Sequence, residues 1–205
     1  MLDLIPNGFV LQRTDAPCYS ILNYIKSFPY HGLAAYSTEP LYAVDNILHD
    51  REAYALCQEA FSRKVGEDAV VLRSFICEPD LLTRYILACQ MRKIPIRALF
   101  VESDYAGEYW LGSRPDGVLW GYAYNTIPFD DQIVTDLHWY VPLTGFWLQL
   151  NSRGLFSDQA DVLAFKRAYD SAFDAGKIGD GEMETHIFRL TEVGLETALA
   201  WQHGG

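Results

Sequence analysis

The sequence predicts an α+β fold, a central and mostly antiparallel sheet flanked by helices, with residues 1–205 forming a single domain. Three observations lead there. Short β-branched or alternating runs (Gly8–Arg13, Ala69–Ile76, Ile96–Val101, Gly117–Asn125, Thr185–Val193) are separated by turn residues, as strands require. Two stretches, Pro79–Lys93 and Asp158–Ala175, instead repeat their apolar residues at helical spacing. No internal repeat, low-complexity tract or Pro/Ser-rich linker divides the chain.

In chain order, Gly8–Arg13 reads as a short strand and Ser20–Phe28 as a short helix ended by Pro29. Tyr42–Val65 carries Val44, Ile47, Leu48, Ala55, Leu56 and Phe61 at near-helical spacing, and Gly66 suits a C-terminal cap. The run Ala69–Ile76 is a strand. Glu78-Pro79-Asp80 then opens a helix, because Pro is favoured in the first turn and carboxylates suit the positive helix end. Its buried stripe is Leu81, Tyr85, Ala88 and Cys89, Lys93 closes it, and Pro95 forces the extended run Ile96–Val101. The whole reads as a strand–helix–strand unit.

Pro115-Asp116-Gly117 is a turn with a mechanism, since Pro presets φ and Gly accepts a positive one. A β-hairpin pairing Gly107–Gly112 with Gly117–Asn125 is expected around it. Thr126–Asp136 is an acidic loop, and Leu137–Leu150 is rich in aromatics. Asp158–Ala175 is the clearest helix, with Ser157 as N-cap, Gly176 as C-cap, and Val162, Phe165, Tyr169 and Phe173 on one face. A polar loop, Gly176–Glu184, leads to the last strand, Thr185–Val193, and a short terminal helix.

Charge bounds the function. Twenty-seven carboxylates against sixteen Lys and Arg give a formal charge of −11 on a chain that is half hydrophobic. Such a balance repels nucleic acid and anionic membrane and favours a basic protein partner. The longest apolar stretches are too short and too interrupted for the ~20 residues of a membrane span, and the N-terminus lacks the charged and apolar regions of a secretory signal. Cytoplasmic residence is therefore expected. Cys18, Cys57, Cys77 and Cys89 are widely spaced and expected to be reduced.

Reactive motifs are few. His31, His49, His138, His186 and His203 lack the spacing that puts two ligands on one helical face, so neither metal nor cofactor is expected. The common phosphate-binding glycine loops and the hydrolase elbow are missing. Cys77 sits at a helix start, but the adjacent Glu78 and Asp80 oppose a thiolate. His138 beside Asp136 is the best isolated candidate for acid–base work. The carboxylates form three groups: Glu102, Asp104 and Glu108; Asp130, Asp131 and Asp136; and Asp174, Asp180, Glu182 and Glu184. All are expected at strand ends or loops, and Tyr109 stands among the aromatic residues that could anchor an interface. The expected partner-binding patch is Glu102, Asp104, Glu108, Tyr109, Asp130 and Asp131.

From Trp120-Gly121-Tyr122-Ala123-Tyr124, through Leu150-Asn151-Ser152-Arg153-Gly154-Leu155-Phe156, to Gly179-Asp180-Gly181-Glu182 and Ile187-Phe188-Arg189-Leu190, the C-terminal half resembles small bacterial immunity-like proteins associated with polymorphic toxin systems. The resemblance implies an immunity protein that neutralises a cognate toxin by binding it; it assigns no active site. Two classes of function therefore stand after the sequence: an acidic immunity protein covering the active-site cleft of a toxin, or a small hydrolase or transferase using dispersed residues such as Cys77 or His138 with Asp136. The charge favours the first. Oligomeric state is not legible.

Overall fold

The computed structural model describes residues 2–14, 62–64, 70–72, 75–126, 150, 151, 153, 155–177 and 185–200. Among the described residues there are six strands, β1 (Ile5–Arg13), β2 (Ser62–Lys64), β3 (Val70–Leu72), β4 (Ile96–Ser103), β5 (Val118–Thr126) and β6 (Thr185–Val193), with three helices, α1 (Pro79–Met91), α2 (Gln159–Asp174) and α3 (Leu195–Leu199). β1, β4, β6 and β5 form, in that order, one antiparallel four-stranded sheet, so the fold is α+β. The three segments expected to share a central sheet do share it.

The expected hairpin is overturned, because Gly107–Gly112 forms no strand to pair with Gly117–Asn125. β4 and β5 are both antiparallel to β6, which lies between them, so they run parallel to each other and need a crossover rather than a turn. Residues 104–117 supply that crossover without any helix or strand. Pro115-Asp116-Gly117 ends it, and Gly117 lies so close to the backbone of β6 that a Cβ there would come within 2.4 Å of the Glu192 carbonyl. The helix expected over Tyr42–Val65 is also corrected at its end. Ser62–Lys64 pairs antiparallel with Val70–Leu72, because two extended runs separated by a short Gly-containing link can satisfy each other's backbone groups. β3 thus lies in a separate two-stranded sheet, and the strand–helix–strand order holds in sequence while its two strands belong to different sheets. Ser20–Phe28, Thr126–Asp136 beyond Thr126, and Leu137–Leu150 before Leu150 fall outside the described residues.

Alternation along the strands builds two cores. Phe9 and Leu11 of β1, Ala98 and Phe100 of β4 and Val193 of β6 face one side, where Leu81, Leu82, Tyr85, Ile86 and Cys89 of α1 and Ala198 of α3 cover them. Val10, Leu99, Val101, Phe188 and Leu190 face the other, packed with Phe75, Cys77 and Leu155. β4 is therefore buried along almost its whole length on both faces, which is why it reads as a continuous apolar run. A third cluster joins Tyr124 and Ile187 to Val162 and Phe165 of α2.

Both helices follow their local signals. Pro79 stands in the first turn of α1, which ends at Arg92 with Lys93 in left-handed backbone, φ 56°. Of the expected stripe, Leu81, Tyr85 and Cys89 are buried and Ala88 is half-buried. α2 is capped one residue later than expected, by Asp158, whose carboxylate accepts from Asp161 N at 2.9 Å. Val162 and Phe165 are buried, while Phe173 at the end of the face is exposed.

The two outer strands are closed alike. β1 bulges between Pro6 and Gly8, and Phe9 exchanges backbone bonds with Ile76; β5 bulges between Leu119 and Gly121, and Tyr122 exchanges them with Phe156. Both glycines have positive φ, 148° and 141°, and a Cβ on either would sit 2.5 Å from a carbonyl of the bridging segment. Only glycine lets each short segment approach and cover an edge that would otherwise be open to pairing.

Candidate functional site

The end of β4 and the crossover carry four of the six residues expected to bind a partner. Glu102 follows Ala98 and Phe100 on the helix-covered face, opposite Arg189 in register. It is 2% exposed. Arg114 Nη2 approaches both its oxygens, at 2.6 and 2.7 Å, and Arg189 Nη1 lies 3.2 Å from Oε2. Two guanidinium groups thus neutralise one buried carboxylate between the apolar clusters of α1 and α2. That corrects the expectation of a surface charge: a buried ion survives only when paired, and the pairing consumes the negative field that would steer a partner.

Next along the chain, Ser103 Oγ donates to Asn7 Oδ1 at 2.6 Å and accepts from Tyr105 N at 3.1 Å. Asn7 Nδ2 donates to the carbonyls of Tyr105, at 2.9 Å, and Glu108, at 2.8 Å. Asp104 is partly exposed, and its Oδ1 accepts from Ile187 N and from His186 Nδ1, each at 3.0 Å. An ionised carboxylate only accepts, so Nδ1 carries the proton there. The Tyr105 ring meets the His186 ring edge-on at 5.2 Å.

Glu108 turns inward. Its Oε2 accepts from Phe75 N at 3.1 Å and from the Cys77 thiol at 3.6 Å. The Phe75 carbonyl is a second acceptor for the same thiol at 3.5 Å, and a carboxylate beside a buried thiol disfavours the thiolate that a nucleophile needs. Cys77 and Cys89 are buried thiols outside any disulfide among the described residues; Cys18 and Cys57 lie outside the described residues. Trp110 completes the anchoring: its N–H donates to the Pro6 carbonyl, its ring packs edge-on against Phe9 at 5.0 Å, and Nε1 donates to the Ser113 carbonyl.

Among the described members of the expected patch, Tyr109 alone is well exposed, at 52%, beside Leu111 at 72%. Asp130, Asp131, Asp136 and His138 lie outside the described residues. The structure therefore brings Glu102 at the end of β4 together with Asp104 and Glu108 of the crossover, each holding a part of the framework. Asn7, Ser103, Arg114 and Arg189, which bind that crossover down, carry no local signal. Apart from the Ser103 bond to Tyr105 N, the side-chain partners of Asn7, Ser103 and Arg114 are 12 to 101 residues away, and the Asn7-Gly8 pair marks an irregularity in β1.

A second polar cluster lies on the other face. Trp120 is sandwiched between the guanidinium groups of Arg97 and Arg153, 5.1 and 4.7 Å from its ring centre, and its Nε1 donates to Glu192 Oε2 at 2.7 Å. Asn151 Nδ2 donates to the Trp120 carbonyl, while Oδ1 accepts from Arg153 N and Leu155 N. Asn151 thus clamps the described residues of the Leu150–Phe156 motif to β5.

Among the described residues no group of three His, Cys, Asp or Glu side chains could hold a metal ion, and no helix is long and apolar enough to cross a membrane. No protein-family model matches the chain, and neither a curated protein nor a solved structure is significantly similar to it.

Proposed function

We propose that the chain is an acidic cytoplasmic binding protein, an immunity protein that neutralises a toxin by covering the basic cleft of its active site. The reading rests on the charge excess. The chain carries 27 carboxylates against 16 Lys and Arg, a formal charge of −11. The paired carboxylates at the end of β4 serve the framework. Two unbalanced segments, 127–149 and 178–184, hold Asp130, Asp131, Asp136, Asp180, Glu182 and Glu184 and contain no Lys or Arg. They join the sheet at Thr126 and Thr185, which are direct cross-strand partners. A chain with this excess of negative charge suits fast capture of a basic partner, since opposite fields raise association rates roughly 10–1000-fold.

The test is the association rate with a cognate toxin domain, at low and high salt. The double change Asp130→Asn with Asp131→Asn slows association at low salt and flattens its salt dependence, with the thermal unfolding midpoint unchanged. Equal rates for variant and parent at both salt concentrations would reject these carboxylates as the steering charges.

A further inference from the structure

We draw no further inference here: the strongest candidate, the exposed apolar edge made by Val118 and Leu119 at the start of β5, carries nothing because nothing in the structure shows what covers it.

Discussion

The crossover 104–117 and helix α2 are similar in length and span, yet they are held by opposite physics. α2 satisfies its own backbone, is capped by Asp158 and docks through an apolar face of Val162 and Phe165. The crossover has no ladder of its own. Asn7, Ser103 and Glu102 hold it from outside, and its large apolar anchors are Trp110 in the first core and Tyr105 against the second. A regular element needs only a face to bury. An irregular one across a sheet must find a separate partner for each buried polar group, because an unpaired donor or acceptor costs about 1–3 kcal/mol.

Truncations should therefore rank differently in the two regions. The largest loss is expected on the helix side: Phe165→Ala removes a fully buried ring that meets Tyr124 and Phe156, and lowers stability by about 3–5 kcal/mol in chemical denaturation. On the crossover side, Asn7→Ala strands the carbonyls of Tyr105 and Glu108 and the hydroxyl of Ser103. It costs about 2–4 kcal/mol, with faster amide exchange at Trp110 and Leu111 and unchanged exchange along α2. Uniformly faster exchange in both regions would erase the contrast.

Alkali should probe the helix side selectively. Burial pushes the Tyr124 hydroxyl above its ordinary value, outweighing the hydrogen bond with Thr185 that lowers it. For Lys166, burial lowers the ammonium's pKa, but the hydrogen bond to Asp170 and the nearby Tyr124 leave it raised overall. Both folded values lie above the unfolded ones, so both groups contribute stability fully present below about pH 10 and lost as pH rises through their folded values. Unfolding midpoints should fall above pH 10, and Tyr124→Phe should make that fall shallower; an identical slope would remove Tyr124 from the account. The smallest effect is expected at the helix start, where Asp158→Ala removes the cap bond to Asp161 N and costs about 1 kcal/mol by equilibrium unfolding, without touching the crossover.

The sequence by itself determined the α+β class, the three sheet strands β4, β5 and β6, and both long helices, because each is written in a local period of two or 3.6 residues and in adjacent Pro, Asp or Gly signals. Only the tertiary structure decided how the strands connect. Pro115-Asp116-Gly117 is a sound turn signal, but a turn does not say which strand lies next to which, and the insertion of β6 between β4 and β5 is decided by residues some ninety positions away along the chain. The same holds for the acidic residues. A carboxylate at a strand end reads as exposed until an arginine from a distant strand is seen to meet it, as Arg189 meets Glu102. Whether a charge faces water or a partner is a property of packing, and packing is the part of the fold that no short window of sequence contains.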